Sequence, residues 1–153
     1  MKMTSQPLKI GELASQTGSS VETIRYYEQQ HLLPPPSRSS ANYRLYNDTH
    51  VRRLQFIRHC RSLDMTLGEI RTLLAFRDQP DEDCAGVNAL LDHHIGHVAQ
   101  RIEELKGLQQ QLLELRGRCK GVQSTDACGI LQELENADAA EPRNWGSHSG
   151  GCH

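Results

Sequence analysis

The chain has 153 residues, of which 37% are hydrophobic, and it contains only two Phe and one Trp. This length suits one domain or two small ones, and the small number of large apolar residues favours helices packed across a dimer over a large monomeric core. No apolar run reaches transmembrane length and no charged-then-apolar leader opens the chain, so we expect a cytoplasmic protein with no membrane partner.

The net charge of -2 is unevenly distributed. Residues 1–79 contain 11 Lys and Arg against 7 Asp and Glu, whereas residues 80–153 contain 6 against 12. A basic first half favours a polyanionic partner, and an acidic second half attracts cations. Five cysteines in a reducing compartment indicate metal ligands or redox groups, not a disulfide framework.

The first two predicted helices are short and closely spaced. Ile10, Leu13 and Ala14 form an apolar face that stops at Gly18, and Ser19 with Glu22 predicts a capping box that opens the next helix. Two short helices joined by a tight glycine turn are typical of a helix-turn-helix. Four side chains of the second helix face outward or lie on its flanks, where they can reach phosphates or base edges: Thr23, Arg25, Tyr26 and Tyr27.

A small wing is predicted after this pair. Residues 34–36 are three prolines, which force an extended connector, and residues 42–46 have the alternating aromatic character of a short strand. Each basic or aromatic side chain here has a simpler interpretation as a surface Arg or a packed Tyr. Together they predict a wing on the DNA backbone, with four candidate contacts: Arg38, Asn42, Tyr43 and Arg44.

Two further helices complete a DNA-binding domain over residues 1–79. Asp48 is the predicted cap of the first, and Thr66 with Glu69 forms a capping box for the second. On the first of these helices His50 and Arg53 are expected to face outward as additional DNA contacts. Its inward side is apolar and consists of Val51, Leu54, Ile57 and Cys60, the last of which we interpret as a core residue.

Residues 80–118 predict one long dimerisation helix. Apolar residues recur at alternating steps of four and three, and they are Leu91, Ile95, Val98, Ile102, Leu105 and Leu112. Nothing else in the chain is long enough to cover this narrow stripe. A second copy of the chain is therefore the expected partner.

Three cysteines flank this helix, and their spacing constrains any metal site. Cys84 and Cys119 are separated by roughly 35 helical residues, or about 50 Å, so one chain cannot bring both to one ion. In an antiparallel dimer, Cys84 of one subunit meets Cys119 and Cys128 of the other, which gives two equivalent three-thiolate sites. Residues 119–134 then form the metal-binding loop and a short helix. The alternative is that these cysteines are scattered structural thiols.

A candidate second metal site involves histidines. His94 and His97 are three residues apart on the long helix and share a face, with His93 adjacent. The tail, residues 135–153, adds three potential ligands, namely His148, Cys152 and His153. The alternative is a set of solvated helix histidines and a disordered tail.

Several motifs together resemble the MerR family of metal-responsive transcription regulators. They lie at residues 10–14, 22–28, 32–34, 42–46 and 56–58. The resemblance implies a mainly α fold, with a winged helix-turn-helix domain followed by a long antiparallel coiled-coil dimerisation helix and a metal-binding loop. It covers nearly all of residues 8–134.

Other residues resemble the cadmium and lead regulators of that family. They are residues 61–65, Cys84 ahead of Val87 and Asn88, and residues 128–131. Three thiolates without a loop histidine favour large soft ions over zinc, which usually takes four ligands. The resemblance implies Cd(II) or Pb(II) as effector, and Hg(II) and Zn(II) stay open as alternatives.

The resemblance also implies a mechanism. A homodimer binds double-stranded promoter DNA in an overlong spacer, represses it without metal, and on metal binding distorts it so that RNA polymerase transcribes heavy-metal resistance genes. A metal-buffering protein is the alternative from another class, but it leaves the helix-turn-helix unexplained. We expect no enzyme, because the sequence has no Ser/His/Asp grouping and no His-Glu-x-x-His run.

Overall fold

The computed structural model describes residues 6–81, 83–122 and 124–136, and these residues are mainly helical. They contain six α-helices, one short 3₁₀ helix and one two-stranded sheet. The chain divides into two compact units, one up to Leu91 and one from Asp92 onward. None of the described helices is both long enough and apolar enough to cross a membrane.

The predicted helix-turn-helix is present as α1 (Ile10–Thr17) and α2 (Val21–Gln29). Gly18 ends α1 in the left-handed region, with φ of 65°, and its N–H donates to the Ala14 carbonyl. The cap of α2 is Ser20, whose Oγ accepts from the Thr23 N–H at 3.1 Å. The predicted cap at Ser19 was therefore one residue early, because it is Ser20 that has the extended backbone from which a side chain reaches the first turn.

The wing is a hairpin of β1 (Ser37–Arg38) and β2 (Arg44–Leu45), which pair antiparallel with Arg38 opposite Arg44. Its turn holds Asn42 at φ of 66°, a backbone conformation that asparagine tolerates better than most residues. The Ser39 hydroxyl accepts from the Tyr43 N–H at 3.1 Å. The predicted wing is thus confirmed, and its turn chemistry explains part of its composition.

The next two helices are α3 (Asp48–Ser62) and α4 (Leu67–Arg77). Asn47 caps α3 in place of the predicted Asp48, because its Oδ1 accepts from the Thr49 N–H at 3.0 Å. The capping box of α4 is confirmed, since the Thr66 N–H donates to Glu69 at 2.8 Å and the Glu69 N–H donates back to the Thr66 hydroxyl at 3.2 Å.

One hydrophobic core holds the first unit together. It draws on α1 to α4 and their connections, and the first turns of α5 add Val87 and Leu90 at its edge. The predicted inward side of α3 is confirmed, including Cys60 at 7% exposure. The largest fully buried side chains are Tyr46, Leu13, Ile24, Leu32, Leu54, Ile57, Ile70 and Leu74.

The long helix is α5 (Ala85–Arg116), with 32 residues and a length of about 48 Å. Its predicted apolar stripe is exposed at every position, from 36% at Leu91 to 62% at Ile95. After α5 come a 3₁₀ helix (Thr125–Ala127) and α6 (Gly129–Asn136). So much exposed apolar surface along one helix is typical of an interaction face.

The turn between α1 and α2 generates the first prediction. A Cβ at Gly18 would overlap the guanidinium of Arg58, which donates to the Thr17 carbonyl at 2.6 Å. The positive φ adds backbone strain for any L residue. We expect Gly18→Ala to lower the free energy of unfolding by about 1–2 kcal/mol in urea denaturation.

Gly11→Ala is the matched control. Gly11 lies inside α1 and a Cβ there would meet nothing within 4 Å. Alanine should raise the free energy of unfolding by about 0.5–1 kcal/mol at such a helical position. If the two variants change stability in the same direction, the close fit of Arg58 against the turn does not stabilise the domain.

Candidate nucleic-acid interface and metal centre

A basic cleft lies between α1, α2 and the wing. Its volume is about 980 Å³, and five of the predicted DNA contacts line it, namely Arg25, Arg38, Asn42, Tyr43 and Arg44. Tyr43 is 62% exposed, and the Arg38 guanidinium donates to the Asn42 carbonyl at 3.0 Å. Cations and an exposed aromatic ring around an open cleft suit a phosphate backbone.

The outer face of α2 carries the other predicted contacts. Tyr26 is 47% exposed, and its ring centroid lies 6.0 Å from that of Tyr27. Tyr27 is half-buried against the core, and this burial raises the pKa of its hydroxyl. The Thr23 hydroxyl shares a 2.8 Å hydrogen bond with that of Ser20. Tyr26 is therefore the more accessible of the two tyrosines for a ligand.

The expectation that His50 faces outward is wrong. His50 is only 4% exposed, its Nε2 lies 3.0 Å from the Pro34 carbonyl, and its Nδ1 lies 3.1 Å from the Asn47 N–H. The proline connector folds back over α3 and covers the ring, which the helical period of α3 alone does not reveal. Arg53 is also engaged within the domain, because it donates to the Leu32 carbonyl at 2.6 Å and to both oxygens of Asp78 at 3.0 Å.

Sequence analysis missed the contribution of α1 to the cleft. Gly11, Glu12, Ser15 and Gln16 line it from that helix, and Lys9 lies next to them with its Nζ 5.7 Å from the centroid of the Tyr43 ring. The available signal was the polar side of α1, opposite the buried Leu13. Only the position of the wing shows that this side faces the same cleft as α2.

Two predicted metal ligands meet beyond α5. Cys128 directly precedes α6, and the backbone N–H groups of Leu131 and then Ile130 lower the pKa of its thiol. A hydrogen bond with the Cys119 side chain lowers this pKa further, and the Cys119 sulfur also lies 3.4 Å from the Gly121 carbonyl. The loop thus brings two sulfurs together beside a helix N-terminus, where the thiolate form is stabilised.

Cys84 lies at the other end of α5, directly before its first residue, and is exposed. The Asn88 side-chain amide donates to its sulfur at 4.0 Å, and the Asp83 carboxylate accepts from the Ala85 N–H at 2.9 Å. A Cβ at Gly86 would overlap the Phe76 ring, so the first turn of α5 packs closely on α4. Asn88, which sequence analysis did not single out as a site residue, is thus a direct neighbour of the Cys84 thiol.

The histidines of α5 do not all share one environment. The rings of His93 and His97 are exposed and in edge contact, with centroids 4.2 Å apart. His94, which the sequence grouped with His97, is only 9% exposed. The tail candidates His148, Cys152 and His153 lie outside the described residues.

The donors present fit a soft metal ion. Two cysteine sulfurs share a hydrogen bond, one of them has a lowered pKa, and the third, Cys84, is exposed. Thiolates are the ligands preferred by soft and borderline ions. Together, the winged helix-turn-helix and these thiols are the features of a DNA-binding protein whose cysteines could hold a metal ion.

Comparison with known proteins shows the family to which this protein belongs. Residues 8–76 match the family described as "MerR HTH family regulatory protein", and residues 51–115 match the one described as "MerR, DNA binding". The "HTH-type transcriptional regulator ZntR homolog" of Haemophilus influenzae is 51% identical over 71% of this chain and 81% of its own length. This protein belongs to the MerR family of metal-responsive transcriptional regulators, and it binds DNA through its winged helix-turn-helix domain.

Two solved structures support the same assignment. The lead(II) complex of the transcription regulator PbrR691 from Ralstonia metallidurans has a TM-score of 0.74 and 47% identity, over 83% of this chain and 98% of its own. The mercury(II) complex of MerR from Bacillus megaterium has a TM-score of 0.66 and 32% identity, over 84% of this chain and 99% of its own. The chain is therefore similar to regulators that were solved in complex with different heavy-metal ions.

The environments of Cys128 and Cys60 generate the second prediction. Backbone N–H groups lower the pKa of Cys128, whereas burial raises that of Cys60. The thiolate is the reactive form, so folding should move alkylation of Cys128 to lower pH and that of Cys60 to higher pH. Iodoacetamide labelling with peptide mass spectrometry, between about pH 6 and pH 9 in the presence of a chelator, measures both.

The same chain in urea is the control for this labelling. Denaturation should bring both cysteines to one profile near the ordinary thiol pKa of about 8.5. If Cys128 reacts with the same pH dependence in the folded and the denatured chain, the helix N-terminus does not stabilise its thiolate.

Proposed function

We propose that this protein is a homodimeric regulator that activates heavy-metal resistance genes when Cd(II) or Pb(II) binds to three cysteines. Cys84 of one subunit and Cys119 and Cys128 of the partner subunit would hold the ion. The observation that carries the proposal is the meeting of Cys119 and Cys128 at the start of α6, where the pKa of Cys128 is lowered. A lowered pKa reduces the cost of displacing a proton by a metal ion.

The length of α5 supports a site shared between subunits. Cys84 precedes this 32-residue helix and the other two cysteines follow it. In an antiparallel pair of helices, the start of one lies beside the end of the other, which brings the three thiols together twice per dimer. The exposed stripe of α5 supplies the apolar surface such a pair would bury.

The choice of ion depends on the donor set and on the relatives. Three thiolates suit large soft ions, whereas structural zinc is almost always four-coordinate. Similarity to PbrR691, which was solved with lead(II), supports Pb(II). Mercury(II) is the alternative suggested by MerR of Bacillus megaterium, and the ZntR homologue, at 51% identity, keeps zinc open.

For DNA binding we propose that α2 enters the major groove and the wing lies on the phosphate backbone. The groups placed for this are Thr23, Arg25, Tyr26, Tyr27, Arg38, Asn42, Tyr43 and Arg44. His50 is not among them because it is buried, and Arg53 is committed to Leu32 and Asp78. Cys84 of one subunit and Cys119 and Cys128 of the partner subunit would hold the ion, which would supply a link between the subunits. The two DNA-binding domains would then hold the promoter in a distorted shape that RNA polymerase can use.

Subunit mixing generates the third prediction. Cys84→Ser and the double variant Cys119→Ser/Cys128→Ser should each lose tight Pb(II) binding, because each lacks part of every site. A heterodimer of the two contains one complete site if the ligands come from different subunits. Random exchange of equal amounts makes about half of the dimers heterodimers, each with one of its two sites complete. We therefore expect mixing to restore about a quarter of the wild-type capacity, measured by thiolate-to-lead charge-transfer absorbance.

The controls test which cysteines are ligands and whether these ligands come from different subunits. Cys60→Ser, at a buried thiol that lines the same pocket as Cys84 but is not a proposed ligand, should keep full Pb(II) binding. If mixing restores nothing although heterodimers form, the three cysteines do not act across subunits.

In transcription with RNA polymerase and a candidate promoter, lead should activate the wild type but not Cys84→Ser. Equal activation in both would sink the three-cysteine switch.

We also propose a weaker second metal site on α5, centred on His93 and His97. Their rings are exposed and in contact, so both imidazoles can reach one ion from adjacent turns. His94, on the same helix, and His148, Cys152 and His153 in the tail stay candidates for its remaining ligands. A site of this kind would attract or buffer ions without carrying the switch.

The second site generates the fourth prediction. In a background with Cys84, Cys119 and Cys128 all changed to Ser, isothermal titration with Zn(II) should still detect one weak site per subunit. His97→Gln should weaken that binding by about tenfold or more, because one of two helix ligands is lost. His59→Gln, at an exposed histidine of α3, is the matched control. Residual binding that His97→Gln leaves unchanged would exclude this helix pair.

A further inference from the structure

Glu28 connects the wing to α2, the helix that we propose enters the major groove and that we call the recognition helix. It lies in the last turn of α2, and its two carboxylate oxygens have different partners. One oxygen accepts from the hydroxyl of Tyr46, and the other lies 3.7 Å from the Nε of Arg44 in β2. The Glu28 side chain is only 14% exposed. A carboxylate so shielded from water needs both partners, so it ties α2 to the wing strand.

Tyr46, which donates to Glu28, is itself held firmly in the core. Its side chain is fully buried, and its backbone pairs with Leu8 through hydrogen bonds of 2.8 and 2.9 Å. Its ring meets His50 edge-on, with centroids 5.1 Å apart. Burial, followed by the bond to Glu28, raises the pKa of the hydroxyl, which therefore stays protonated and donates. Glu28 is thus held against a rigid part of the core.

Arg44 is the more exposed end of the same network. Its side chain is 39% exposed, and it lines the basic cleft together with Arg25, Arg38 and Tyr43. A guanidinium has five N–H donors in a flat fork, and the ion pair to Glu28 engages its Nε side. A long side chain held in this way loses less conformational freedom when it binds a ligand.

We propose that Glu28 is a positioning residue for DNA binding, which holds Arg44 so that its terminal guanidinium nitrogens meet a DNA phosphate beside the recognition helix. This inference rests on the proposed placement of α2 and the wing on DNA. A carboxylate near a phosphate is unfavourable by charge. Here the shielding of Glu28 and the positive charge of Arg44 offset that repulsion, and the ordering of Arg44 dominates.

The test measures affinity and its salt dependence. Wild type, Glu28→Gln, Arg44→Ala and the double variant are titrated with a fluorescein-labelled DNA duplex of mixed sequence at several KCl concentrations. Glutamine keeps a carbonyl acceptor for Tyr46 but loses the ion pair. We expect Glu28→Gln to bind about fivefold more weakly. The slope of log affinity against log salt should become shallower by up to about one.

Two comparisons show whether Glu28 acts through Arg44 and whether its charge alone matters. Arg44→Ala should show a similar loss, and Glu28→Gln should add nothing to it, since Glu28 acts through Arg44. Glu22→Gln removes the same charge from an exposed position on α2 and should bind DNA as well as the wild type or better. Thermal unfolding reports whether each variant folds. If Glu28→Gln does not fold, Arg44→Lys, which keeps the charge but lacks the fork, should bind DNA more weakly with a slope close to that of the wild type, because the slope counts neutralised phosphates.

Three results would overturn the inference. Glu28→Gln could match Glu22→Gln in affinity and slope, its effect could add fully to that of Arg44→Ala, or Arg44→Lys could keep the wild-type affinity. Failure of the wild type itself to bind the duplex would instead overturn the proposed DNA placement. The two failures are therefore distinguishable.

Discussion

The separation that α5 imposes on the cysteines is the constraint on which the rest of this protein depends. A single helix of 32 residues stands in the chain between Cys84 and the pair formed by Cys119 and Cys128. Such a helix buries little apolar surface by itself, and its stripe of leucine, isoleucine and valine is exposed. In the dimer that we propose, burying that stripe and assembling three thiols would both favour the same event, the antiparallel pairing of two chains. In our proposal, dimerisation and metal sensing are therefore linked.

The DNA-binding unit is organised around a different principle, which is the satisfaction of buried polar groups. Tyr46, His50 and Glu28 are mostly buried, and each has hydrogen-bond partners on another segment of the chain. These contacts join the wing, the recognition helix, the proline connector and α3. Because unpaired buried polar groups are costly, the network specifies one arrangement of elements that would otherwise pack through interchangeable apolar contacts. Through Glu28, the network also contacts Arg44, one of the cations that line the cleft.

The periodicity of the sequence predicted the helices and the inward sides of α2 and α3 well, because burial of apolar side chains at helical spacing dominates their stability. The capping box of Thr66 and Glu69 was also predicted correctly, since it is a local interaction between residues three apart. The caps at Ser20 and Asn47 were each misplaced by one residue. Neighbouring residues with similar side chains compete there, and the backbone angles that decide between them depend on the approaching loop.

By itself the sequence determined the class of protein: a winged helix-turn-helix, a long helix that needs a partner, and cysteines flanking it. These features arise from local patterns, and local patterns are encoded in nearby residues. Only the tertiary structure decided that His50 is covered by the proline connector, that α1 lines the cleft, and that Glu28 faces both Tyr46 and Arg44. Each of these facts joins residues distant in the chain, and their contacts follow from how the elements pack, which no spacing along the sequence records.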